Sequence, residues 1–124
     1  MPIRISPAEW EVLNVLWDTA PATALEVYAA LPDHTAWHQK TVNTFLTRLA
    51  DKGVVRVKRE GKANVYSPLK TRDQCIRAES RSFARRVFGG AVGPMLLHFV
   101  EQANLTPEEI RELERLLKQK KAKP

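Results

Sequence analysis

A mainly helical fold with one small β-hairpin is predicted by three features of this chain. Residues 38–53 sort their apolar and polar side chains onto opposite sides of one helix. A basic run with two-residue alternation follows directly, and a glycine-containing turn closes it. From residue 71 onward the alternation gives way to three further helical segments with no strand signal.

The elements follow in order. Ser6-Pro7-Ala8-Glu9 is a capping box with proline at the first helical position, where its missing N–H costs nothing, so a first helix begins here and runs to Asp18. Trp10, Val12, Leu13, Leu16 and Trp17 give it a broad apolar face, the mark of a helix packed on more than one side. Pro21 breaks the chain, and Thr23-Ala24-Leu25-Glu26 caps a short second helix with Leu25, Val27, Tyr28 and Leu31 as its apolar positions. Pro32 stops it, and residues 32–37 form the linking turn.

In the third helix Val42, Phe45, Leu46 and Leu49 make the apolar stripe, and Lys40, Asn43, Thr44, Thr47 and Arg48 lie opposite. A face that needed only solubility would usually carry Glu and Lys. Short hydroxyl and amide side chains flanked by cations suit base edges and phosphates. His38 is a poor N-cap, so the start of this helix is weakly fixed. Gly53 ends it, and Val54-Val55-Arg56-Val57-Lys58-Arg59 alternates as a half-exposed strand, taken here to point three cations one way. Glu60-Gly61-Lys62-Ala63-Asn64 turns the chain, and Val65-Tyr66-Ser67-Pro68-Leu69 returns as the second strand. Helix, helix, turn, helix and basic hairpin make a winged helix-turn-helix over residues 1–70.

Residues 71–124 then form a helical region. Its first helix spans Thr71 to Phe88, with Ile76, Phe83, Ala84, Val87 and Phe88 on one face, and Gly89-Gly90 ends it. The second, near Val92 to Ala103, aligns Val92, Met95, Leu96, Phe99, Val100 and Ala103. The third is capped by Thr106-Pro107-Glu108-Glu109 and presents Ile110, Leu113, Leu116 and Leu117 before a Lys-rich tail expected to fray. Three short helices make a marginal unit alone, so they call for a partner surface, and a second copy is the economical one. Phe83, Val87, Phe88, Leu96, Phe99, Val100, Ile110, Leu113 and Leu117 are the expected dimer contacts.

Charge supports a polyanionic partner. The net +6 is uneven: residues 1–37 carry one cation against five acids, residues 38–72 nine against two, and the remainder ten against seven. One cysteine, Cys75, allows no intramolecular disulfide, and no leader or long apolar span appears, so a soluble cytoplasmic protein is expected, with no membrane contact. His34, His38 and His98 make no metal-ligand spacing, so no metal or other cofactor is expected. Nucleophile-elbow and phosphate-loop motifs are missing too, which argues against an enzyme.

With these parts in order, the chain resembles the penicillinase-repressor family of bacterial transcription factors. The resemblance rests on Ile5-Ser6, Glu9-Trp10-Glu11-Val12-Leu13, Leu16-Trp17-Asp18, the run Lys40-Thr41-Val42-Asn43-Thr44-Phe45-Leu46-Thr47-Arg48-Leu49, Tyr66, Phe83 and Gly89-Gly90. It implies a homodimer that represses an operon, of β-lactam resistance or a related stress response, by holding a palindromic double-stranded DNA operator. In the β-lactam branch a sensor protease cuts the dimerisation region between an Asn and a Phe. The matching bond here is His98–Phe99, which keeps the Phe and lacks the Asn. The copper-responsive branch uses C-terminal Cys-x-Cys pairs, and this chain has no cysteine after Cys75.

On this basis Lys40, Thr41, Asn43, Thr44, Thr47 and Arg48 are expected in the major groove, with Arg48 suited to guanine and Asn43 to adenine. Arg56, Lys58, Arg59 and Lys62 are expected to meet the phosphate backbone from the wing. The competing reading is a protein-interaction module whose basic hairpin meets an acidic partner without sequence-specific DNA binding.

Overall fold

The computed structural model describes residues 4–32 and 36–123. The turn residues at 33–35, His34 among them, lie outside the described residues. Among the described residues six helices and three strands run in the order α1 (Pro7–Thr19), β1 (Ala22–Thr23), α2 (Ala24–Ala30), α3 (Gln39–Asp51), β2 (Val55–Glu60), β3 (Ala63–Pro68), α4 (Arg72–Phe88), α5 (Val92–Gln102) and α6 (Pro107–Ala122).

Local capping chemistry sets the helix starts. Ser6 Oγ accepts from the Glu9 N–H at 3.2 Å while Ser6 N–H donates to Glu9 Oε1 at 2.8 Å. Thr23 with Glu26 and Thr106 with Glu109 repeat this exchange at α2 and α6. Thr71 and Gln74 do the same at α4, a fourth reciprocal cap among the described residues. Only a backbone carbonyl marks the start of α3, because His38 makes no side-chain cap bond.

The hairpin is part of a three-stranded antiparallel sheet of order β1-β3-β2, not an isolated two-stranded ribbon. Ala22 pairs with Tyr66 and Thr23 with Val65. Val12, Leu13 and Leu16 of α1, Val27 of α2, and Val42, Leu46 and Leu49 of α3 are fully buried and form one core with Val54, Val55 and Tyr66. Phe45 is only half-buried, and its ring lies 5.1 Å from that of Trp37. On α2 the structure corrects the expected stripe: Ala24 and Val27 face inward, whereas Leu25 and Tyr28 are exposed.

An ion pair ties α1 to the end of α3. Glu9 is 1% exposed, and Lys52 Nζ sits 2.6 Å from its Oε1 and 2.6 Å from the Arg4 carbonyl oxygen. Burial alone would raise the Glu9 pKa, but the Lys52 ammonium and the Ser6 hydrogen bonds outweigh it and hold the carboxyl below its ordinary range.

The chain divides into two compact units, one ending at Ser82 and the other starting at Phe83. The change of sequence texture at residue 71 precedes that division, because the first turns of α4 belong with the N-terminal core. Cys75 is buried there, the Trp17 indole N–H donates to the Lys70 carbonyl at 3.0 Å, and the Arg72 guanidinium lies 5.2 Å from the Trp17 ring.

In the second unit the rings of Phe83 and Phe99 stack at 5.8 Å, with Phe88 and His98 beside them. No residue of α5 or α6 is buried in the single chain. The Lys-rich end expected to fray continues α6 to Ala122. Lysine is a good helix former, and its charge is favourable at a helix C-terminus.

Candidate nucleic-acid interface

The exposed side of α3 is polar along its whole length. Lys40, Asn43, Thr44, Thr47 and Arg48 are exposed at the three- and four-residue spacings of one helical face, while Thr41 is half-buried at its edge. The opposite side, Val42, Leu46 and Leu49, is held in the core, so burial fixes which way the polar face looks.

Two of these side chains are oriented by the helix itself. Thr44 Oγ1 donates to the Lys40 carbonyl at 3.2 Å, and Thr47 Oγ1 donates to the Asn43 carbonyl at 2.9 Å. With its proton committed, each hydroxyl offers the outside a methyl group and acceptor lone pairs, which suits the amino groups of cytosine or adenine. The Arg48 guanidinium lies 5.9 Å from the Phe45 ring, which in turn packs on Trp37. That stack restrains a long side chain before any ligand arrives.

The wing cations do not share one side. Unbroken register pairs Arg56 with Ser67, Val57 with Tyr66, Lys58 with Val65 and Arg59 with Asn64. Alternation therefore puts Arg56, Lys58 and Glu60 on one face, where with Pro21, Val65 and Ser67 they line a shallow cleft. Arg59 falls on the other face, with Asn64 and the buried Tyr66. The expectation of three cations pointing one way is thus corrected, since Arg56 and Lys58 lie on one face and Arg59 on the other.

Asn64 and Tyr66 line a second cleft together with Gln39 and Asn43 of α3 and Leu25 of α2, so the Arg59 face is the one turned toward α3. Lys62 sits exposed in the turn, where Gly61 takes φ +62 and its carbonyl accepts from Arg59 Nε at 3.3 Å. The structure thus brings Arg59 to the sheet face that looks toward Asn43, leaves Arg56 and Lys58 on the opposite face, and puts Lys62 in the exposed turn between the strands. Gln39, Asn64 and Leu25 join this surface without having been singled out in the sequence. The hairpin register would have shown Asn64 opposite Arg59.

The expected dimer contacts occupy the second unit. Val87, Leu96, Phe99, Val100, Ile110 and Leu117 are exposed, whereas Phe83, Phe88 and Leu113 are half-buried. The His98–Phe99 bond lies inside α5, and both of its residues are exposed. Among the described residues no cluster of His, Cys, Asp or Glu is placed to hold a metal, and no helix is long and apolar enough to cross a membrane.

A polar helix face braced on a three-helix core and flanked by a basic hairpin defines a winged-helix DNA-binding protein. Comparison with known proteins places it more closely. The chain belongs to the penicillinase-repressor family, whose pattern matches residues 5–119. It is 36% identical over 118 residues to the penicillinase repressor of Bacillus licheniformis, covering 95% of this chain and 92% of that one. With the methicillin resistance regulatory protein MecI of Mammaliicoccus sciuri it shares 34% identity over 117 residues, covering 94% and 95% of the two chains. Among solved structures, the monomeric form of Bacillus licheniformis BlaI in complex with the blaP half-operator superposes with a TM-score of 0.50 at 34% identity, over 60% of this chain and 90% of that one.

Proposed function

We propose that this protein is a transcriptional repressor that binds a palindromic DNA operator as a homodimer and acts by occupancy, without chemistry. The observation that carries this reading is the exposed amide, hydroxyl and cation face of α3, set beside the Lys62 turn. Kinship with a repressor solved on a half-operator supports it. Lys40, Thr41, Asn43, Thr44, Thr47 and Arg48 enter the major groove, with Asn43 and Arg48 making bidentate base contacts. Arg59 and Lys62 meet phosphates beside α3, while Arg56 and Lys58, on the far face of the sheet, add to the attractive field.

Dimerisation is supported by the C-terminal unit, whose amphipathic α5 and α6 bury none of their residues in the single chain. A second copy covering Leu96, Phe99, Val100, Ile110 and Leu117 supplies the missing core and presents two reading helices to a two-fold site. The names of the relatives support an operon of antibiotic resistance as the target, in the cytoplasm. A sensor protease acting at His98–Phe99 would have to open α5 locally and accept His98 where the family motif has Asn.

Duplexes enriched from a random pool by the full chain test the function. On the enriched duplex, Asn43→Ala or Arg48→Ala should cost about 1–3 kcal/mol and relax preference at one position of each half-site. Lys62→Ala should weaken binding evenly across sequences. Full discrimination retained by both α3 variants would place base reading elsewhere, and enrichment of no duplex would favour a protein-interaction module.

A further inference from the structure

We propose that Leu25 and Asn43 together read one A·T base pair, Leu25 covering the thymine methyl group and Asn43 pairing with the adenine edge. The assignment rests on the DNA-binding reading of α3 and adds a residue from α2 to the base-reading surface.

Leu25 is 57% exposed, although it lies on a helix whose neighbouring residues Ala24 and Val27 are in the core. Among the described residues its side chain is not part of the hydrophobic core or of the layer packed against it. The capping exchange at the start of α2 occupies Thr23 and Glu26, and Leu25 falls between them, next to the first turns of α3. It lines one cleft with Gln39 and Asn43 of α3 and with Asn64 and the buried Tyr66 of β3, so that three exposed amides surround one exposed leucine.

Scattered exposed leucines are common and ordinarily mean nothing. This one borders the polar face that enters the groove. The thymine C5-methyl is the apolar group on the major-groove edge, and the adenine paired with it presents the N6 and N7 atoms that an Asn amide grips in bidentate fashion. An apolar side chain beside an exposed Asn therefore matches the two halves of one base pair.

Thymine-to-deoxyuridine replacement, one position at a time in the enriched duplex, removes only that methyl group. One thymine in each half-site should weaken wild-type binding about fourfold when demethylated, the effect of one buried methyl. Leu25→Ala should bind the parent duplex about fourfold more weakly and be indifferent to demethylation at that thymine. Leu25→Met, which keeps an apolar side chain of similar reach, should retain the sensitivity. Asn43→Ala should lose its preference at the same base pair. Alanine is the best helix former and the site is exposed, so the fold is retained.

Equal responses of wild type and Leu25→Ala at every thymine would overturn the assignment while leaving DNA binding intact. Enrichment of half-sites without thymine would overturn it as well. Failure to enrich any duplex would remove the DNA-binding reading itself, a separate result.

Discussion

Lys52→Met should destabilise the N-terminal unit by about 2 kcal/mol at neutral pH, somewhat less than the roughly 3–5 kcal/mol usual when a buried pair loses one partner, because the Lys52 side chain is about one-third exposed. The loss arises at Glu9, which is 1% exposed and keeps only its Ser6 hydrogen bonds once the cation is gone. Its second oxygen, Oε2, is buried with no hydrogen-bond partner among the described residues, so the carboxylate leans on Lys52. The sign of the pH dependence follows. A carboxyl held below its ordinary value of 4.5 stabilises the fold above that value and loses the contribution as pH falls through the lowered one. In the variant, burial pushes Glu9 the other way, so it takes up a proton more readily. The gap between wild type and Lys52→Met should therefore be widest near neutrality and narrow as pH falls through and below 4.5, as read by denaturant titration at a series of pH values. A gap independent of pH would show that lost packing, not the charge pair, is responsible.

If the proposed homodimer forms through α5 and α6, Leu96→Asp should yield monomers and lower operator affinity by about two to four orders of magnitude, the range that linkage of two binding modules contributes. Leu96 is 50% exposed in the single chain, so the protomer tolerates the charge. Across a dimer interface the same carboxylate would be buried without a partner. Sedimentation and half-site binding distinguish the two effects: the variant should sediment as a monomer yet bind an isolated half-site as the wild type does. An unchanged dimer would move the interface away from α5.

Features set by short-range chemistry were legible in the sequence. Three capping boxes, the glycine at the end of α3 and the polar stripe from Lys40 to Arg48 are local patterns, and each appears in the structure where the residues put it. What was not legible depends on partners distant in sequence. The two residues of β1 carry no strand signal of their own and are extended because Tyr66 and Val65 pair with them. Glu9 read only as half of a capping box, since its partner Lys52 lies 43 residues away, at the C-cap of another helix. The wing cations looked like one cluster because charge is visible without register, and pairing then divided them between two faces. Leu25 looked like core because spacing along seven residues of α2 does not reveal how narrow the buried side is.

Fluorescence anisotropy of the full chain on the enriched duplex and on its shuffled counterpart, across a series of salt concentrations, tests the central claim most directly. Two subunits neutralising about six phosphates predict that log affinity falls with log salt at a slope near −5. The enriched duplex should also be preferred by about a thousandfold or more at physiological salt. A flat salt response, or equal affinity for the two duplexes, would contradict the account.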